Sequence, residues 1–100
     1  MLKISTVESP REVRLVVEGK LESPWVGELK HACEKAEADL RGRELVVEIG
    51  YVIAISLEGE TVLLDLMKQR VKVCSRGAFT KHVLKDIAKR ARRDLLEENK

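Results

Sequence analysis

In the stretch AISLEGETVLLDL, residues 54 to 66, Ser56 falls where an apolar, strand-like run passes into the spacing of a helix. A hydroxyl at such a junction can be a nucleophile, a phosphate acceptor, part of a phosphate-cradling turn, or a helix cap. A phosphate loop of the form GxxxxGK[ST] needs several glycines and a lysine, and this turn has only Gly59 and no lysine. A serine nucleophile needs a GxSxG elbow and a histidine held by an acid, whereas Ser56 is flanked by Ala54, Ile55, Leu57 and Glu58. The reading that remains is an N-cap, with Glu58 adding favourable negative charge in the first helical turn. The same residues occupy the C-terminal edge of a strand, where open α/β sheets tend to bind their ligands and partners. Leu57 beside Glu58 offers an apolar contact flanked by charge, a common start for a protein interface.

A second candidate is a basic stripe near the C-terminus. Lys81, Lys85 and Lys89 recur at i,i+4 spacing and so share one helical face, and Arg92 and Arg93 extend the run. Such a face suits nucleic acid or an acidic partner, but cations near a helix C-terminus also complement the helix dipole and keep an outer face soluble. The absence of interleaved aromatic residues and a formal charge of only +2 argue against nucleic acid. His31 and His82 have no neighbouring Cys, Asp or second His at ligand spacing, which reads as surface histidine and implies no metal and no cofactor. Glu18, Glu22 and Glu48 are isolated in sequence and read as solvated, so no acid and base pair can be placed. Cys33 and Cys74 fit no CxxC spacing and sit among apolar neighbours, as free buried thiols do.

The elements that must position these residues follow from periodicity. LKISTVE and REVRLVVEG alternate apolar and polar residues around a turn at Ser9 and Pro10, which predicts an antiparallel hairpin. Ser23 as N-cap and Pro24 at the first helical position then open a helix whose apolar face carries Trp25, Leu29, Ala32, Cys33, Ala36 and Leu40. ELVVEIG, extended by YVIAI, is a strand. The helix EGETVLLDLMKQR, the strand VKVCS, a loop at Arg76 and Gly77, and a long helix from about Phe79 follow. In the last helix Phe79, Val83, Leu84, Ile87, Ala91 and Leu95 form the expected buried stripe.

Strands alternating with helices imply crossover connections and parallel pairing, and the hairpin adds one antiparallel pair. The expected fold is therefore a small α/β domain over residues 1–100, with a mixed, mostly parallel sheet and helices packed on it. Hydrophobic residues at 44% supply one core, and their low aromatic share, confined to Trp25, Tyr51 and Phe79, makes that core aliphatic. MLKISTVESP has no apolar signal region and no run approaches the roughly 20 residues of a membrane span, which points to the cytoplasm with no membrane partner.

This order of elements, together with the turn at Ser56, resembles the STAS domain, the sulfate-transporter and anti-sigma-factor-antagonist family. In that family a strand ending in hydrophobic-Asp-Ser-Ser-Gly leads into a leucine-rich helix, a short strand, a polar-Gly loop and a final helix. Here the run reads VIAISLEGETVLLDLMKQRVKVCSRGAFTKHVLKDI, in which Gly59 matches the glycine and VLLDL the helix. Anchored on Gly59, the aspartate position holds Ser56, the phosphoacceptor position holds Leu57, and Glu58 follows. Leu57 cannot carry phosphate. The resemblance implies a non-catalytic regulatory module, without the usual serine phosphorylation, whose partner is an anti-sigma-type kinase or another regulatory domain. Its docking edge would comprise Ser56, Leu57, Glu58 and Gly59, with Thr61 one turn on. The basic face, and a small ligand sensed at the same edge, are the alternatives.

Overall fold

The structure is a computed structural model and describes residues 1–98. Its elements in chain order are β1 (Leu2–Glu8), β2 (Glu12–Leu21), α1 (Val26–Glu37), β3 (Glu44–Ile55), α2 (Leu57–Lys68), β4 (Lys72–Cys74) and α3 (Ala78–Glu98). The strands form one sheet in the order β1-β2-β3-β4, with β1 and β2 antiparallel and the other pairs parallel. This is the mixed α/β sheet with an N-terminal hairpin that the sequence pattern implies.

Both crossovers step in the same direction along the sheet, so right-handed connections put their helices on one face. Accordingly α1 packs on β2 and β3, α2 lies between α1 and α3, and α3 reaches β3 and β4. Ion pairs between Glu60 and Arg90 (3.1 Å) and between Lys68 and Glu98 (2.9 Å) hold α2 and α3 side by side and parallel. Beneath this layer Val13, Leu15, Val17 and Leu21 of β2 and Leu45, Val47, Ile49 and Val52 of β3 point inward, the two-residue alternation of a sheet with one dry face. Leu29, Cys33, Leu63, Leu66, Leu84 and Ile87 come down from the helices to meet them. No helix among the described residues is long and apolar enough to cross a membrane.

β3 departs from strict alternation. Its register against β2 shifts between Val16/Glu18 and between Gly19/Lys20, each time with one extra residue on β3. The first bulge lets Ile49 and Val52, three apart, both face the core, and the second leaves Ile53 outside at 70% exposure. β3 therefore arrives at Ser56 with Ile55 turned toward the helices.

Four local expectations need correction. Helix α1 begins at Val26, with Trp25 as a cap residue that makes no side-chain bond, because the Trp25 amide closes a turn on the Glu22 carbonyl (2.8 Å). Ser23 is thus not its cap, and Leu40 lies beyond its end. Phe79 is not in the core but 54% exposed, since Thr80 takes the inward position of the first turn of α3. The Thr80 hydroxyl is bonded to Ser75 Oγ and donates to the Gly77 carbonyl, which fixes that rotation. Cys74 is only half-buried, because Val73 takes the helix side of β4 and Cys74 the uncovered side. Glu48 is neither isolated nor solvated, as described below.

The core is aliphatic and depends on shape. Replacing Leu63, fully buried under α2, by alanine is expected to cost roughly 2–5 kcal/mol of unfolding free energy, measured by urea titration.

Candidate functional site

The end of the sheet where β3 passes into α2 is built on one carbonyl. The Ser56 backbone amide donates to the Leu21 carbonyl (3.0 Å), which ties the end of β3 to the end of β2. Ser56 keeps an extended backbone (φ −80°, ψ 174°), and its Oγ accepts the Gly59 amide at 3.1 Å, the geometry of an N-cap. The same hydroxyl reaches the Leu21 carbonyl at 3.4 Å. Ser56 is therefore a cap whose hydrogen and oxygen are both engaged.

Gly59 is buried against β2: a Cβ built there would meet the Leu21 carbonyl oxygen at 2.4 Å. Glycine is required here by close approach, and Gly59 belongs to the support of the site and not to its surface. Leu57 and Glu58 point outward, Leu57 at 80% exposure. Thr61 is also exposed, its hydroxyl returned to the Leu57 carbonyl at 3.0 Å.

Beside this edge runs a groove of about 390 Å³ between the end of β3, the first turn of α2 and the first half of α3. Ile55, Phe79 and Val83 supply its apolar surface; Lys85, Lys89 and Asp86 its charges. Glu60 also borders it but is neutralised by Arg90 at 3.1 Å. Neither Lys85 nor Lys89 has an ion-pair partner among the described residues. The groove thus has a net positive rim and an exposed aromatic wall. Lys81, Arg92 and Arg93 are exposed on the same helix, Arg93 beside Asp94 at 3.8 Å, but only Lys85 and Lys89 of the basic stripe join the groove.

Sequence periodicity put Phe79 in the core and so missed it as a surface residue. The available signal was the pair of hydroxyls, Ser75 and Thr80, around Gly77. Ser75 Oγ also accepts the Gly77 amide at 3.0 Å, so the loop closes on itself at the start of α3 and claims the inward position for Thr80.

A second polar cluster lies on the face of the sheet that carries no helix. Arg14 Nε donates to Glu12 at 2.7 Å and Nη1 donates to Glu48 at 3.0 Å, with Cys74 Sγ at 3.8 Å. The Glu12 hydrogen bond holds the guanidinium more firmly protonated than an ordinary arginine. Both carboxylates of this cluster are bound to the one cation. His31 and His82 are exposed, and no group of three or more His, Cys, Asp or Glu is placed to hold a metal among the described residues. Cys33 is buried beneath α1, where desolvation first, then Glu37 and Glu34, push its thiol up to about 11. It is a core residue and a poor nucleophile at neutral pH.

In comparisons with known proteins, the chain matches no family model and no curated protein.

Three outcomes follow from this geometry. Ser56→Ala removes the cap and is expected to cost about 1 kcal/mol in urea unfolding. Gly59→Ala drives a methyl into the Leu21 carbonyl and is expected to cost more, roughly 1–3 kcal/mol. Because the folded Cys33 pKa is raised, its contribution to stability is complete below the ordinary value of 9.0 and is lost as pH rises toward about 11. Cys33→Ala should flatten the fall in stability across that window relative to the natural chain.

Proposed function

We propose that this chain is a non-catalytic protein-interaction module that regulates a partner by docking it where β3 passes into α2. The observation that carries the reading is Leu57, 80% exposed on a rigidly capped helix end, beside a groove walled by the half-exposed Phe79. Large apolar side chains held out on a firm backbone, with charge around them, are the anchors on which protein interfaces concentrate their energy. The site is supported from beneath by Ser56 and Gly59, edged by Glu58 and Thr61, and bordered by Lys85 and Lys89.

The resemblance to STAS domains supplies the class of partner, an anti-sigma-type kinase or another regulatory domain in the cytoplasm. Regulation would proceed by binding alone, because Leu57 stands at the acceptor position and the Ser56 hydroxyl is already used as a cap. The positive rim of the groove favours a partner with acidic residues at its margin. The basic face serves this reading as a flank of the docking edge; Phe79 is the one aromatic of α3, too few for the stacking that single-stranded nucleic acid uses.

The test is a nuclease-treated pull-down comparing the natural chain with Leu57→Arg and with Lys85→Glu/Lys89→Glu as baits. All of these positions are exposed, so each variant should unfold at the midpoint of the natural chain. Loss of the same protein by both variants is the expected result. Equal recovery by all three baits would remove this end of the sheet as the interface.

A further inference from the structure

At the other end of the helix layer Leu2 of β1 is buried in the core, but the helix-side residues Thr6 and Glu8 are left exposed. α1 sits over β2 and β3, and between it and β1 runs a groove of about 730 Å³. Ile4 of β1, Val13 and Leu15 of β2 and Ala36 of α1 give it an apolar floor, and His31 and Lys35 stand on the α1 wall.

The register of the hairpin determines what β1 offers at its free edge. Lys20 donates to the Met1 carbonyl (3.1 Å) and Ser9 donates to the Glu12 carbonyl (2.9 Å), and the paired residues between them run from Leu2↔Gly19 to Glu8↔Val13. In an antiparallel ladder hydrogen-bonded and non-bonded pairs alternate. Lys3, Ser5 and Val7 therefore bond to β2, and the backbone groups of Leu2, Ile4, Thr6 and Glu8 point away from the sheet. These are the residues whose side chains lie on the helix side, above the edge of the groove. β1 has no proline to block pairing.

We propose that β1 and α1 together form a second docking site, separate from the β3–α2 end, which takes an extended peptide segment of a partner as an added strand. Backbone pairing to Ile4, Thr6 and Glu8 supplies attraction, and alternate apolar side chains of the peptide lean over β1 into the groove. Charge states the peptide's chemistry further. Glu8 is neutralised by Arg43 at 3.0 Å and Asp39 by Arg41 at 2.8 Å, whereas Lys35 has no ion-pair partner among the described residues. Glu28 opens the opposite end of the groove and likewise has no ion-pair partner among the described residues, so the acidic preference is confined to the Lys35 end. A peptide with an acidic residue against Lys35 complements the wall; one with a basic residue there does not. A second copy of this chain fits poorly. Paired about Ser5 it would set Ile4 against Thr6 and Leu2 against Glu8, filling little of the groove and crowding the Glu8–Arg43 pair.

The experiment is selection of a random peptide display library on the full chain, followed by hydrogen exchange of the chain with the synthesised winners. Enriched peptides should alternate apolar residues, carry an acid, and slow exchange at the Ile4, Thr6 and Glu8 amides. Thr6→Pro removes an outward amide without taking a hydrogen bond from β2, and should weaken the winners at least roughly tenfold. Gly27→Phe fills the groove from α1, where a Cβ meets nothing within 4 Å, and should weaken them comparably if Thr6→Pro compromises folding. Lys35→Glu should lower affinity for the acidic winners alone. No enrichment, winners that leave those amides unprotected or bind both blocking variants normally, or self-association of the chain through β1 would each overturn the proposal.

Discussion

The carbonyl of Leu21 is the point on which the arrangement of this domain turns. It ends β2, receives the Ser56 amide that ends β3, and lies where any side chain at position 59 would have to go. Because Gly59 has none, the first turn of α2 can close down onto β2 while the Ser56 hydroxyl caps the helix from the same spot. Two parallel strands and a helix are thereby tied together within a few ångströms. Leu57 is thrust outward by the same geometry, since a helix whose third residue is pressed against the sheet must present its first to solvent. Exposure of that leucine is a consequence of packing at Gly59.

All three helices crowd onto one face, and this one-sidedness shapes the remaining surface. On the bare face Arg14 is clamped by carboxylates from its own strand and from β3, and Val46, flanked in the register by Arg14 and Lys72, is left only 1% exposed. The stems of long charged side chains can shelter an aliphatic residue in this way while their charges stay wet. At the margins of the helix layer the sheet is wider than the helices that cover it. A groove remains beside β1 at one margin, and another beside the first half of α3 near the other.

Among the described residues, exposed apolar and unpaired cationic groups are therefore concentrated at places where secondary structure stops short of covering itself. At the β3–α2 end, groups distant in sequence line one groove, Ile55 from the strand and Phe79 with Lys85 and Lys89 from α3, while Leu57 stands exposed on the first turn of α2. Two readings of the sequence, a docking edge at Ser56–Gly59 and a basic stripe on the last helix, meet there as neighbours. Arg92 and Arg93 lie further along α3 and take no part in that groove.

Alternation in β1 and β2, the apolar run of β3 and the three-to-four spacing of the helices were written in the sequence, because each depends on which residues one local conformation turns to the same side. So was the cap at Ser56, a bond between residues three apart. Ser23 and Pro24 suit a helix start or a turn alike, and it is the turn they form that sets α1 to begin at Val26, while a hydroxyl cluster rotates the first turn of α3 and puts Phe79 outside. The partnership of Arg14 with Glu48, residues 34 apart, had no local trace at all. What the sequence by itself determined was the set of elements and their dry faces. Only the tertiary structure decided which of those faces stayed uncovered, because that depends on how far the helices reach across a sheet whose width and register are set by long-range pairing.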